Sequence, residues 1–563
     1  IHIQLQEDIT SLQEVRINAG YYSVKEKERT GSIARITAKE IETQPVTNVL
    51  ATMQGRMAGV SISQTTGAPG GGFNVQIRGI NSLRAEGNSP LYIVDGVPYN
   101  SQSLGDSQTS GAILAGTFSP LNSINPSDIA SIEVLKDADA TAIYGSRGAN
   151  GVILITTKRG IGGQTKLSIH SYSSIGKVTT GMKMMNTGEY LKMRKEAFAN
   201  DGITSYPANA YDINGTWDKT RYTDWRKELI GNTAFFNNLQ ATLSGGSTST
   251  QYLISGTYHK ETTVFPGDDH YNKAMVHSNL THRSDDEKFN VNLSVSYSNN
   301  KNTIKASDLT SQVYKLAPNA PSLYKDDGSL NWENGTFQNP LANSLSQYEN
   351  NTANLIANSV IAYKLSPNLE FKTSLGYNDS QLKETRTTPS TIYNPIYGVT
   401  RASATLLLNN GTRNSWIIEP QINWTNQWSE NTLSILLGST FQSEKSDRYS
   451  ILGTGFASNS LINSLGAATT LRVTNNQISE YRYQAFFGRI NYSLKDKYII
   501  NLTGRRDGSS RFGLGNRFAG FGAVGAAWLF SNEDFVVRHT PWLNFGKLRG
   551  SYGTTGSDQI GDY

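Results

Sequence analysis

The sequence predicts a transmembrane antiparallel β-barrel with a small α/β domain at its front. Three observations predict it. From about residue 164 to residue 563, apolar and polar residues alternate in strand-length runs, and short turns take turns with long polar connections. No run approaches the ~18 apolar residues of a membrane-spanning helix. Helix-period and small-residue signals are concentrated in residues 41–160.

Composition narrows the class. Charged residues are only 17% of the 563, while Gly (52) and Tyr (28) are abundant. Disorder needs the opposite balance, high charge and few aromatics. The chain has no Cys, so thiolate chemistry, Cys-based metal sites and disulfides are excluded. A net charge of +5 spread over the chain offers no basic block for nucleic acid.

The chain divides into four stretches. Residues 1–8, "IHIQLQED", read as the end of a strand from a preceding domain, so the natural start is expected to lie further upstream. Residues 9–40 are polar and irregular. Residues 41–160 form the α/β domain. Residues 161–563 form the strand-rich region, with roughly a dozen strands.

Within the α/β domain, Val46, Val49, Leu50, Met53 and Met57 recur at helical spacing after Pro45 and predict a helix. "GVSIS", "FNVQIRG" and "PLYIVDGVPY" read as strands, and Asp95-Gly96 between apolar runs predicts a tight hairpin. "IASIEVL" and "GVILITT" are a last pair around a short helix capped by Asp137 and running through Tyr144. In the strand-rich region, turns are expected at 245–247, 285–287, 366–368, 429–431 and 495–497. Long connections are expected at 181–233, 304–348 and 447–478. Tyr492 and Tyr498 flank one short turn, where an interfacial aromatic girdle would sit. A soluble sandwich also alternates, but its loops do not sort consistently into short and long.

Few motifs suggest chemistry. "GAPGGGFNVQIRG" lacks the Lys and helix of a phosphate loop, so it reads as a turn. "GLGNRFAGFGAVG" has no surrounding βαβ unit and reads as a loop entering a strand. His277 and His282, five apart on a strand, face opposite ways and make no metal pair. "YKDDGSLNWENG" lacks the acidic twelfth position of a calcium loop. No catalytic set, cofactor site or metal site is discernible, and nothing argues for an enzyme. Arg78 and Arg147, near the two ends of the α/β domain, would pair with wall carboxylates if that domain sat in a barrel lumen; a solvated Arg is the plain alternative.

The motifs "MQGRMAGVSISQTTGAPGG", "VQIRGINSL", "PLYIVDGVPYN", "LNSINPSDIASIEVLKDADATAIYGSRGANGVILITTKRG" and "YIINLTGRRDGSSRFGLGNRFAGFGAVGAAWLFSNE" resemble the SusC/RagA-type TonB-dependent outer-membrane transporters of Bacteroidetes. The resemblance implies that the α/β domain is a plug in the lumen of a 22-stranded barrel, of which this chain supplies about half. The sequence is therefore expected to be part of a longer chain. The resemblance marks Arg78, Gly79, Asp95, Gly96 and Arg147 as plug motif positions. It places a TonB-box candidate at Gln13, Glu14, Val15, Arg16, Ile17, Asn18 and Ala19. It implies import of a large nutrient, an oligosaccharide on family grounds or a peptide, across the outer membrane of a Gram-negative bacterium.

The implied partners are a SusD-like lipoprotein, the TonB C-terminal domain with ExbB/ExbD energisation, the lipid bilayer and lipopolysaccharide, and a glycan or peptide ligand. Nucleic acid is not among them, and a dimer of the transporter–lipoprotein pair is a further implied state. Trp217, Trp225, Tyr324 and Trp332 are candidates to stack on sugar rings, with loop packing the commoner use of such aromatics. Two other functions fit the same architecture: a signal-transducing receptor, which would need an added N-terminal signalling domain, and a structural or secretion-associated barrel.

Overall fold

A computed structural model describes residues 16–110, 119–513, 515–540 and 542–561. Residues 1–15 fall outside it, and with them the expected end of a preceding domain and Gln13, Glu14 and Val15 of the TonB-box candidate.

The front of the chain folds into a five-stranded sheet and two small hairpins. A hairpin of β1 (Arg16–Asn18) and β2 (Ser23–Lys25) comes first. β3 (Ile33–Thr37) follows, then a second hairpin, β4 (Val60–Gln64) with β5 (Phe73–Ile77). β6 (Leu91–Val94), β7 (Val97–Tyr99), β8 (Ile129–Leu135) and β9 (Val152–Thr157) complete the sheet, in the order β3-β8-β9-β6-β7. β8 and β9 are central and buried on both faces, which is why they read as unbroken apolar runs. The β6–β7 turn is the predicted Asp95-Gly96 pair, with φ of 48° and 86°, the left-handed geometry this hairpin type requires.

The plug sheet departs from expectation in three places. β3 belongs to it, so it begins before residue 41; β3 pairs with β8, about a hundred residues later, and so leaves no local signal. The helix expected from Val46 to Met57 shrinks to one 3-10 turn, Val49–Met53, capped by the Asn48 side chain. Its apolar residues are buried in the plug core, so packing rather than helix period explains their spacing. The helix capped by Asp137 breaks at Gly145, whose φ of 58° turns the chain toward the wall.

Thirteen strands form one antiparallel sheet in strict sequence order. They are β10 (Gly163–Gly176), β11 (Ala234–Gly246), β12 (Thr250–Thr262), β13 (His270–Arg283), β14 (Phe289–Lys305), β15 (Gln347–Ser366), β16 (Leu369–Thr388), β17 (Thr405–Trp428), β18 (Asn431–Thr454), β19 (Thr470–Leu494), β20 (Tyr498–Ser509), β21 (Phe518–Trp528) and β22 (Leu548–Thr554). Among the described residues no pairing joins β10 to β22.

Short turns at 247–249, 284–288, 367–368, 429–430 and 495–497 lie at one end of this wall, and the connections 177–233, 306–346, 389–404 and 455–469 at the other; the connection 529–547 is the exception, a long one at the short-turn end. The connection expected over 447–478 spans only 455–469, because β18 and β19 continue pairing well beyond the lipid-length segment. A further long connection, 389–404, was not expected.

The wall faces alternate as a membrane barrel requires. On β12, Ile254 and Tyr258 point outward and are about half exposed, while Ser255, Thr257 and His259 point inward and are buried, the first two against the plug. At the short-turn end Trp428 stacks on Tyr492 with ring centroids 6.2 Å apart, and Tyr498 and Trp528 also face outward. This aromatic belt matches the expected girdle.

Candidate functional site

The site is the seam where the plug meets the inner face of the wall. Its most buried element is an ion pair contributed by β20. Arg505 Nε lies 2.6 Å from Asp507 Oδ1, and neither side chain has any exposure. Both grip the plug backbone at the Gly145 kink. Arg505 Nη1 donates to the Ile143 carbonyl at 2.6 Å, and Asp507 Oδ2 accepts from the Ser146 amide at 2.6 Å. Arg505 Nη2 also donates to the Tyr483 hydroxyl at 2.9 Å. Gly145 is required here: a Cβ would stand 2.1 Å from Asp507 Oδ2. The alternation of β20 puts Arg505 and Asp507 on one face, two residues apart.

Plug carboxylates answer with neutral wall partners. Asp128 accepts from Gln240 and Ser255 at 2.7 Å each, and Asp139 accepts from Asn501 at 2.7 Å. Asp95 accepts from the Thr157 amide at 2.8 Å inside the plug and from Ser294 of the wall at 2.8 Å. Lys273 of the wall donates to the Thr47 and Asn122 carbonyls at 3.0 and 3.3 Å. At the outer end, Asn100 donates to Glu444 at 2.7 Å and the Asp106 amide donates to Glu384 at 3.0 Å.

The β1–β2 hairpin reaches the short-turn end of the lumen. Tyr21 is buried between Tyr144 and Phe487, with centroids at 5.1 and 4.7 Å, and donates to wall Glu419 at 2.8 Å. The Arg489 guanidinium lies 3.6 Å above the Tyr22 ring. Beside the hairpin, plug and wall enclose a polar cavity of about 950 Å³. The Arg35 guanidinium of β3 links the hairpin to the plug sheet. It donates to the Arg16 carbonyl at 3.3 Å and lies 3.1 Å from buried Glu133. Burial pushes the Glu133 carboxyl up to about 7, against the opposing pull of Ser131 and Arg35.

The predicted residues divide sharply. Arg78 sits at a left-handed φ of 58°, is exposed, and meets no wall carboxylate. Arg147 is buried but also lacks a carboxylate. It donates to Gln442 of the wall at 2.6 Å and stacks 4.2 Å from the Tyr483 ring. Among the described residues, then, neither arginine forms an ion pair with a wall carboxylate, and Arg78 follows the solvated alternative; Asp507 of the wall is held by Arg505. Arg16, Ile17 and Asn18 form β1, with Ile17 and Ala19 buried.

Three of the four aromatic candidates pack the long connections. Trp225 and Trp332 are buried; Trp225 donates to the Ala317 carbonyl at 2.8 Å. Trp217 packs edge-on against Phe337. They are unavailable for stacking as the loops stand, and only Tyr324 presents a half-exposed ring. Sequence reasoning missed Arg505, Asp507, Tyr21, Glu419 and Arg489. The first two lay in plain view in "GRRDGSS", but only strand parity shows that Arg505, not Arg506, faces inward.

A small mixed sheet seated inside a wall of long antiparallel strands defines the class of plugged outer-membrane receptors. The TonB-dependent Receptor Plug Domain model matches residues 25–152. A TonB-dependent receptor of Formosa agariphila is 32% identical over all of this chain and 55% of its own length. The TonB-dependent receptor SusC of Bacteroides thetaiotaomicron is 28% identical over all of this chain and 55% of its own length. The fold matches the RagAB peptide importer in its open-open state with a TM-score of 0.80 at 23% identity, over 98% of this chain and 62% of that one. Over its whole length the chain is similar to TonB-dependent receptors, SusC among them. It spans about half the length of the curated relatives it matches. Proteins of this family reside in the outer membrane and are receptors and transporters rather than enzymes.

Proposed function

We propose that the complete protein imports a large nutrient, an oligosaccharide or a peptide, across the outer membrane of a Gram-negative bacterium. TonB, energised by ExbB/ExbD, drives the import, and a SusD-like lipoprotein works with it at the long-loop face. The protein is multi-pass, and the transporter–lipoprotein pair forms a dimer. The observation that carries this reading is the path of the N-terminal segment. β1 and β2 leave the plug sheet at the short-turn, periplasmic end and are held there by two wall side chains, Glu419 and Arg489.

Residues Gln13–Ala19 are the proposed TonB contact. Arg16–Asn18 now pair with Ser23–Lys25, so they must peel from β2 before adding as a strand to TonB. A pull on this segment acts first on Tyr21 and Tyr22, and through them on Tyr144 and the plug core. Arg78, Gly79, Asp95, Gly96 and Arg147 shape the plug that is pulled. Tyr324 is the aromatic left to meet a ligand. The expected result is that nutrient uptake by the full-length protein disappears in a strain lacking TonB while its surface level is unchanged. Uptake that persists without TonB would refute the reading.

A further inference from the structure

Where the plug meets the wall at the long-loop end, two inward arginines stand over one pocket. On β18 the even positions Glu444, Ser446, Arg448 and Ser450 share the plug-facing side; Glu444 and Ser450 are buried and bond to plug Asn100 and Asp106. The register sets Arg413 of β17, Ser446 and Ser479 of β19 in one row, and Gly411, Arg448 and Gln477 in the next. Gly411 leaves the space that plug Leu104 takes: a Cβ there would stand 3.0 Å from the Leu104 Cβ. Plug residues 102–104 and the wall side chains of Arg413, Glu444, Ser446, Arg448, Gln477 and Ser479 line a pocket of about 110 Å³.

This pocket is rich in donors with little to donate to. Arg448 donates to the neutral Gln477 Oε1 at 2.7 Å and pairs with no carboxylate among the described residues. A guanidinium carries five N–H donors, so most of this one's remain. The Ser446 and Ser479 hydroxyls make no hydrogen bond among the described residues. Arg413 is more engaged: it donates to the plug carbonyl of Gln102 at 2.6 Å and lies 3.4 Å from Glu444. The neighbouring carboxylates are occupied. Glu444 also accepts from Asn100 at 2.7 Å, and plug Asp106 accepts from Ser450 at 3.1 Å. Glu384, further along the seam, accepts from Asn409 at 2.7 Å and from the Asp106 amide at 3.0 Å. The lining itself holds two guanidiniums and one carboxylate, a net positive charge. Anchoring of the plug explains Arg413. It gives Arg448 no task.

We propose that this pocket seats a carboxylate carried by the nutrient, with Arg448 as its anchor and Ser446, Ser479 and the Gln477 amide as supporting donors. The inference rests on the import reading above and adds the substrate class: an acidic nutrient rather than a neutral sugar chain. A guanidinium meets a carboxylate through two parallel N–H···O bonds, each roughly twice as strong as a neutral one. A pocket of about 110 Å³ admits a head group of a few atoms and leaves the rest of the ligand in the lumen. Arg448 is partly exposed, so the group reaches it without displacement of the plug. Two sources carry the same chemistry, a uronate-bearing oligosaccharide and an acidic peptide, and the probes below distinguish them.

The test is binding, measured by calorimetric titration of the full-length protein purified in detergent. The probes are hexagalacturonate, a glutamate hexapeptide and a neutral glucose hexasaccharide. At least one carboxylate probe is expected to bind about tenfold more tightly than the neutral one, by a margin that shrinks as salt rises. Arg448→Gln is expected to remove the margin, and Arg448→Lys to keep part of it. Gln477→Glu is the second variant. It is close in shape, keeps the 2.7 Å contact and turns it into an ion pair. It therefore occupies Arg448 without unsettling the fold, and is expected to remove the margin as well.

Tighter hexagalacturonate supports the site with a glycan as the source, and tighter glutamate peptide supports it with a peptide. A tie between them, both ahead of the neutral probe, supports recognition of the carboxylate alone. Equal affinity for all three probes, or no binding of either carboxylate probe at millimolar concentration, would overturn the proposal. So would a margin that survives both Arg448→Gln and Gln477→Glu. The TonB-deletion result judges import separately, whichever probe binds.

Discussion

Asp507→Ala is expected to destabilise the seated plug by about 3–5 kcal/mol. The reason is what it leaves behind. Arg505 has no exposure, and its guanidinium would lose its only carboxylate while still enclosed by Tyr483, Phe487 and the plug. The Ser146 amide would lose its acceptor in the same step. Thermal unfolding in detergent and protease cleavage within residues 138–150 measure the loss. Replacing both partners by apolar residues of similar size, Arg505→Met with Asp507→Leu, is expected to cost much less, because no charge is stranded. If the single and double variants are equally destabilised, the ion pair is not what seats the plug at this corner.

Plug stability is expected to fall by roughly 3 kcal/mol as pH rises from about 4.5 to above 7 through Glu133 alone, at 1.36 kcal/mol per unit of displaced pKa. Burial raises this carboxyl to about 7 in the fold, whereas in the unfolded chain it titrates as an ordinary Glu. Between those two values the folded state binds the extra proton. The stabilisation is complete below the unfolded value and is lost as pH climbs through the folded one. Arg35 lies 3.1 Å away and lowers the loss without removing it, and the second carboxyl oxygen has no hydrogen-bond partner in the protein. Glu133→Gln is expected to flatten the curve. A residual slope of the same sign remains from Asp139, which burial also raises. Unfolding free energy across this range is the measurement, and an unchanged slope in the Gln variant would show that Glu133 is ionised throughout.

Much of the wall was legible because its signals are local. Asp285–Glu287, Ser429-Glu430 and Lys495-Asp496 stand between alternating strands, and the turns form there. Loop limits were less legible. β18 and β19 continue pairing through polar residues such as Asp447, Arg448 and Asn476, which read as loop. In the plug, the Asp95-Gly96 hairpin and the β8–β9 pair were clear. β3 was hidden because its partner is distant, and the Val46–Met57 helix failed because tertiary burial outweighed period.

The seam itself was almost illegible. Arg505 and Ile143 are 362 residues apart, and Tyr21 and Glu419 are 398 apart. No spacing rule connects residues at such distances.

The account stands on a plug lodged in the wall that must move for solute to pass. These 563 residues hold no Cys, so an introduced pair is directly measurable once any cysteine elsewhere in the full-length protein is replaced by Ser. Asn125 of the plug donates to Thr257 of the wall at 2.8 Å. In the full-length protein, Asn125→Cys with Thr257→Cys, joined by a short bifunctional thiol reagent that a reductant cleaves, is expected to cross-link fully and to stop uptake. Cleaving the link is expected to restore it. Two cysteines that both react with single-ended thiol reagents yet never link, or complete linkage with uptake undiminished, would contradict the account.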